Sequence, residues 1–433
     1  MKKVAFITLG CKVNQYETNA MIQKFVESGY EIVEQHEKAD IYIINTCTVT
    51  NMSDRKSRQM LRRVKDLNQE AIVVACGCYA QVAKQDLEKI KEIDLILGNN
   101  EKKEIVKYVE KARKEKVKQI EIADVMGQKE FVDFGEVIYT DKTRAVIKVQ
   151  DGCDRFCSYC IIPYARGRVR SRKPEGIVSE IEKIAKEGIQ EVVITGIHLA
   201  SYGKDFKENY RLIDLLEDIN KIEGIQRIRL GSIEPLLITE EFMERFIQLE
   251  KVCHHYHLSL QSGCNETLKR MNRRYTTEQF KEIVTILRNY DKDSILTTDI
   301  IVGFPKETED EFEQTYQFLK EIKFYKMHIF KYSPRKGTKA AEMEGQIDGN
   351  KKEERSQKLI ALSNQNQREY HQSCVGKEIE VLIEEEKEGI YKGHTKNYIL
   401  TYVKKDKIKN NLENEMVQVK CIQAETDHIL AEV

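Results

Sequence analysis

Three cysteines in the run Val149-Gln150-Asp151-Gly152-Cys153-Asp154-Arg155-Phe156-Cys157-Ser158-Tyr159-Cys160 form a C-x3-C-x2-C array. Thiolates are soft metal ligands, and three spaced this closely can converge on one centre. Structural zinc takes four closed protein ligands, and no fourth Cys or His stands at zinc-finger spacing here. An iron-sulfur cube held by three cysteines leaves one iron open to a bound molecule. Reductive chemistry on a bound cofactor needs such an open iron.

A second set, Cys11, Cys47 and Cys78, is scattered, but each thiol follows an apolar run that reads as a strand, at residues 4–9, 41–45 and 71–75. Parallel strands finish along one edge of a sheet, which is where open α/β folds gather their ligands. The pattern therefore predicts a second three-cysteine cluster with its own open iron. Cys76 competes with Cys78 for the third place.

The elements that must position these thiols follow from periodicity. Residues 1–118 alternate short apolar runs, the last at 95–97, with helical stretches at 14–28, 53–68, 81–90 and 102–114. This rhythm predicts a small doubly wound parallel sheet. Residues 119–137 are charged and broken by Gly127 and Gly135, as in a linker. Residues 138–370 hold a second series, with strands expected at 145–149, 191–195, 227–230, 256–260, 296–302 and 328–332. Six βα units make a partial (β/α)6 barrel, since a complete one has eight. After a helix at 351–372, residues 371–433 turn to alternating strands, as at 378–383 and 398–403, and fit a small β-barrel of the oligonucleotide-binding type.

Composition narrows the class. The chain has 433 residues, 41% apolar and 33% charged, with 5 Pro and 22 Gly, the profile of folded domains. No apolar run approaches the roughly 20 residues of a membrane span. Lys2 and Lys3 precede a short apolar run, but the polar segment 12–19 follows at once, which reads as a first strand rather than a secretory signal. Eleven cysteines without such a signal point to a cytoplasmic protein that uses thiols for metal or catalysis. The formal net charge of zero neither demands nor excludes nucleic acid.

The C-x3-C-x-aromatic-C array after the first barrel strand resembles the radical S-adenosylmethionine superfamily. Gly10-Cys11-Lys12-Val13-Asn14-Gln15-Tyr16-Glu17, Asn45-Thr46-Cys47-Thr48-Val49-Thr50 and Gly77-Cys78-Tyr79-Ala80-Gln81 resemble the three cysteine motifs of its methylthiotransferase family. The likeness runs the length of the chain. The Gly-Cys-Lys-Val-Asn form and Gly393-His394-Thr395-Lys396-Asn397-Tyr398 look most like the branch that modifies threonylcarbamoyladenosine at tRNA position 37. Other branches act on isopentenyladenosine or on a ribosomal-protein aspartate.

The resemblance implies two [4Fe-4S] clusters and S-adenosylmethionine. The barrel cluster, on Cys153, Cys157 and Cys160, would cleave the cofactor to a 5′-deoxyadenosyl radical. The cluster on Cys11, Cys47 and Cys78 would hold the sulfur that a separate S-adenosylmethionine methylates. Tyr159 would pack near the adenine, Gly196 would admit close backbone approach, and Gln261, Ser262, Arg273 and Gly303 would lie near polar groups of the cofactor. The implied partners are the tRNA anticodon stem-loop, an external electron donor and an unidentified sulfur donor, with no membrane. A non-catalytic iron-sulfur protein that binds RNA or carries electrons is the reading from another class.

For RNA, strand alternation over residues 164–173 predicts Arg166, Arg168, Arg170 and Arg172 on one face, a ladder suited to phosphates and bases. Arg55, Lys56, Arg58, Arg62 and Arg63 form a basic helix face. In residues 375–433 acidic residues outnumber basic ones, yet Lys392, Lys396, Lys404 and Lys405 interleave with Tyr391, Tyr398 and Tyr402. The family's TRAM domain lies in this region and grips tRNA. His198 ends a strand beside the cavity, whereas His254, His255 and His257 read as packing residues.

Overall fold

The computed structural model describes residues 1–139, 143–404 and 411–433. Its first sheet is six-stranded and wholly parallel, in the order β2-β1-β3-β4-β5-β6, with β1 Lys3–Thr8, β2 Glu31–Val33, β3 Ile41–Thr46, β4 Ile72–Gly77, β5 Leu95–Leu97 and β6 Gln119–Glu121. Apolar side chains cover both faces, as a parallel sheet between helices requires. Tyr42, Ile44 and Val73 pack on one side, while Ile41, Ile43 and Val74 pack on the other. The sheet runs to Glu121, past the domain boundary expected at 118, because Ile96 pairs with Ile120. The short edge strands β2 and β6 carry too few apolar residues to announce themselves in sequence.

Six parallel strands form the second unit: β7 Arg144–Asp151, β9 Glu191–Gly196, β10 Arg227–Leu230, β11 His255–His257, β12 Ile295–Val302 and β13 Lys326–Lys331. A two-residue strand, β8 Arg170–Ser171, adds antiparallel to β7. Single parallel bridges, Ile228 to Val252 and Ile233 to Leu258, carry the wall from β10 to β11. This is the expected partial barrel, open on one side. The largest apolar core of the chain lies between its strands and helices, around Ile194, Ile228, Leu258 and Phe280.

The helix Gly349–Cys374 leads to a closed barrel in the order β14-β15-β16-β18-β17, with β14 Glu378–Lys387, β15 Ile390–Thr395, β16 Leu400–Lys404, β17 Met416–Ala424 and β18 Ile429–Glu432. The small barrel docks on the base of the half barrel. The ring of Tyr398 lies against the guanidinium groups of Arg144 and Arg229, 5.2 and 4.6 Å from its centroid, and stacks on His394. Arg227 and Arg229 donate to the carbonyls of His394 and Lys396.

The first unit docks on the open side of the half barrel through the helix Lys12–Glu27. Its Tyr16 hydroxyl donates to Glu180 of the helix Pro174–Lys186, at 3.2 Å, and Arg172 donates to Glu180 at 2.9 Å. All three side chains are buried. Removing one partner of a buried ion pair leaves the other charge uncompensated. Arg172→Ala is expected to lower stability by about 3–5 kcal/mol, read as a lower midpoint in urea unfolding with the slope unchanged.

Candidate active site between two cysteine triads

β1, β3 and β4 end side by side, and Cys11, Cys47 and Cys78 sit just past their ends. Gly10 makes the first of these turns at φ +107°, and a Cβ there would lie 2.9 Å from the Cβ and Sγ of Cys47. Cys78 opens the short helix Cys78–Val82 and receives a hydrogen bond from Arg166 Nε at 3.2 Å. Cys11 and Cys47 both lie in the field of Cys78. Cys76 is turned the other way, fully buried in the apolar core with Val74 and Leu95, its thiol 3.6 Å from the Ile44 carbonyl. Gly77, at φ +95°, ends β4 and turns the chain into the helix, so Cys78 leaves the face of the strand on which Cys76 lies.

The second triad follows β7. Gly152, at φ +71°, lets the chain turn against residues 167–168, where a Cβ would come within 1.8 Å of the Arg168 carbonyl oxygen. Cys153 then accepts from the backbone N–H of Arg155 at 3.4 Å, and Cys157 from Arg273 Nη1 at 3.5 Å. Burial pushes the Cys47 and Cys153 thiols up to about 11 and Cys160 up to about 12. Such thiols stay protonated at neutral pH until a metal displaces the proton.

One cavity of about 480 Å³ joins the two sets, lined by Cys11 and Cys47 from the first unit and by Tyr159, Cys160, Gln261 and Asp299 from the half barrel. Its size is that of a small-molecule site. A larger hollow of about 900 Å³, beside Lys173, Glu182 and Tyr210, lies on the outer helices and is lined by no thiol. All eleven cysteines are free. Among the described residues, no three His, Cys, Asp or Glu side chains are close enough to hold a single metal ion. N–H donors aimed at sulfur in both triads suit ligands that carry charge as thiolates.

The remaining expected contacts divide. Tyr159 reaches the cavity and meets Phe304 edge-on at 6.4 Å. Gln261 lines it at φ +75°, held between the backbones of Asp299 and Ile301. Arg273 lies beside the barrel triad, bonded to Glu234, Ser259 and Tyr275 as well as Cys157. Gly196 is kept bare by Gln150, whose side chain a Cβ would meet at 2.9 Å. Ser262 is buried and turned toward Thr315, and Gly303 gives its N–H to Glu307 while Lys352 fills the space beside it. Neither lines the cavity.

The arginine ladder is corrected. Arg166 ends the helix Ile162–Arg166, and Arg166, Arg170 and Arg172 are almost wholly buried in ion pairs inside the protein. Only Arg168 is exposed, its side chain 53% accessible and paired with Asp154. Extended alternation fails because the segment is a turn of helix, a loop and a two-residue strand. Of the C-terminal strip, Lys392 pairs with Glu385, Lys396 donates to the Glu250 carbonyl, and Tyr398 is the wedge against Arg144 and Arg229. Tyr391 is buried, Lys404 is exposed and Lys405 lies outside the described residues. On the helix Asn51–Leu67, Arg55, Lys56, Arg62 and Arg63 are exposed, while Arg58 bonds the Tyr79 hydroxyl.

Sequence reasoning passed over Glu17, Lys148 and Asp151, which are buried together, and over Glu234 and Asp299 beside the thiols. Lys148 within the apolar run of β7 is the signal that was available, because a charge in a buried strand must find partners.

A half barrel whose first strand leads into C-x3-C-x2-C defines a radical S-adenosylmethionine enzyme. The Radical SAM superfamily pattern matches residues 147–319, and that of Uncharacterized protein family UPF0004 matches residues 3–98. The Threonylcarbamoyladenosine tRNA methylthiotransferase MtaB of Bacillus subtilis is 41% identical over 98% of this chain and 94% of its own length; that of Aquifex aeolicus is 43% identical over 92% and 95%. A tRNA-2-methylthio-N(6)-dimethylallyladenosine synthase of Moorella thermoacetica is 35% identical over 88% of this chain and 87% of its own. Among solved structures, the radical S-adenosylmethionine methyltransferase TsrM of Kitasatospora setae shares the fold, with a TM-score of 0.57 at 14% identity over 76% of this chain and 73% of that one. The chain belongs to the radical S-adenosylmethionine methylthiotransferase family, on its MtaB-type branch. Membership implies S-adenosylmethionine and a [4Fe-4S] cluster.

The turn at Gly152 yields a direct test. Gly152→Ala is expected to displace the barrel triad, because backbone cannot yield as a flexible side chain can. Anaerobically reconstituted variant should lose iron and visible iron-sulfur absorbance relative to the unchanged chain while remaining folded by circular dichroism.

Proposed function

We propose that the chain adds a methylthio group to carbon 2 of N6-threonylcarbamoyladenosine at position 37 of tRNA, with one [4Fe-4S] cluster on Cys153, Cys157 and Cys160 and a second on Cys11, Cys47 and Cys78. The observation that carries this reading is the cavity with thiols of both triads in its wall. When bound, the two clusters and S-adenosylmethionine would supply the radical, the sulfur and the methyl group. The donor set suits them: three thiols per site, each set with N–H groups aimed at sulfur.

The chain's own residues do the positioning. Val49, Ile301, Phe330 and Tyr332 line the cavity with apolar surface that excludes water from the reacting atoms. Asp299, fixed by His257 Nε2 at 3.2 Å, presents the carboxylate in that wall, an acceptor for N–H groups of an adenine. Lys12, next to Cys11, is exposed and makes no hydrogen bond or ion pair with any described residue. Although solvent reaches the side chain, the protein atoms crowded around the ammonium push it down to about 8, with Arg229 and Arg144 acting in the same direction and Glu191 against them. This cation, on the half-barrel side near Arg229, Arg144 and Glu191, favours a base whose N6 substituent ends in a carboxylate, as threonine's does, over an isopentenyl chain. Outside the cavity, the exposed helix face of Arg55, Lys56, Arg62 and Arg63, with Arg168 beside Asp154, offers cations to phosphate.

Nucleoside mass spectrometry of tRNA from a deletion strain tests substrate and reaction together. Loss of the methylthio form of threonylcarbamoyladenosine is expected, and its persistence would refute the reading. In the purified enzyme, Lys12→Ala is expected to raise KM for the modified tRNA by roughly tenfold or more, the loss of one charge-assisted bond, with kcat much less affected. Changing Cys153, Cys157 and Cys160 together to Ala should abolish cofactor cleavage and leave about four iron atoms per chain in place of roughly eight.

A further inference from the structure

A fully buried charged cluster lies between the two triads. Four buried cations, Arg166, Arg170, Lys102 and Lys148, meet two buried carboxylates, Glu17 and Asp151. Glu17 and Lys102 come from the first unit, and the other four come from the half barrel. Arg166 is the hub. Its Nη1 donates to Glu17 at 2.8 Å and to Asp151 at 3.2 Å, its Nη2 to Asn14 at 2.7 Å and to Glu17 at 3.1 Å, and its Nε to Cys78 Sγ at 3.2 Å. Asp205, exposed and bonded to Ser171, adds an anion near Arg170, and Arg170 still keeps Nε and Nη1 without a partner. Buried charges persist only when compensated. The network is therefore one anion short, and the remaining acceptor it reaches is a thiol.

We infer that Arg166 is a positioning residue for the cluster on Cys11, Cys47 and Cys78: its guanidinium, anchored by Glu17 and Asp151, donates to Cys78 Sγ and so sets that cluster's electron affinity from the half-barrel side. The inference rests on the proposed first-domain cluster. Hydrogen bonds and charge beside a ligating sulfur raise a cluster's reduction potential, because they stabilise the extra electron. Glu17 works on the same site with the opposite sign. One buried network thus joins the docking of the first unit to the chemistry of its sulfur ligand, and the barrel triad is outside it.

The test uses the full chain carrying Cys153, Cys157 and Cys160 as Ala, so that the remaining iron belongs to the first unit, with midpoint potentials read by electron paramagnetic resonance during a redox titration. Arg166→Gln is expected to move the midpoint downward and Glu17→Gln to move it upward. Purely structural damage has no reason to give opposite signs. If Arg166→Gln sheds its iron, Arg166→Lys takes its place, keeping the charge without the bond from Nε; a midpoint below that of the parent chain supports the inference. Full iron with unmoved midpoints, shifts of the same sign in both variants, or iron lost from the Lys variant too, would overturn it. A parent chain without iron would refute the first-domain cluster itself, a result distinct from midpoints that fail to move.

Discussion

The arrangement depends on charges that have no water to turn to. A half barrel leaves one side open, and the helix Lys12–Glu27 closes it by bringing Glu17 against Lys148 and Arg166, and Tyr16 against Glu180 and Arg172. Those pairs are buried, so either unit alone would expose or orphan them. Polar bonding of this kind specifies a register that apolar packing tolerates loosely. The register decides that Cys11 and Cys47 face Cys160 across a cavity rather than lying elsewhere on the barrel rim.

A second connection repeats the logic at the far side of the cavity. Arg335, beyond β13, donates to Thr48 and Asn51 and pairs with buried Asp54 of the first unit. Cys47 thus lies between a rigid sheet and a charged tie to the last barrel strand. The thiols at the mouth are fixed from both directions, which is how a site keeps its reacting groups in place before any ligand arrives.

Much of this was legible. Alternation of apolar runs and helices located all six barrel strands to within a few residues, most plainly β9 and β12, whose buried positions read as runs of Val and Ile. The convergence of Cys11, Cys47 and Cys78 followed from strands ending at one edge, whereas the preference for Cys78 over Cys76 rested on the motif around Cys78 and not on geometry. What stayed hidden was three-dimensional balance. Arg166, Arg170 and Arg172 read as a solvent-facing ladder, since nothing local announces that Glu17 and Glu180 will cover them. Gly303 and Ser262 were read as cavity residues because they end strands, yet what surrounds them depends on the helices packed behind, where Thr315 meets the Ser262 hydroxyl and Lys352 fills the space beside Gly303.

The wedge of Tyr398 between Arg144 and Arg229 has a mechanical meaning. Cation-π contacts together with hydrogen bonds to the carbonyls of His394 and Lys396 make the small C-terminal barrel a fixed foot rather than a hinged arm. The foot's outer surface therefore keeps a set span from the thiol-lined cavity, so the chain presents the two at one distance, as the ends of a ruler are held.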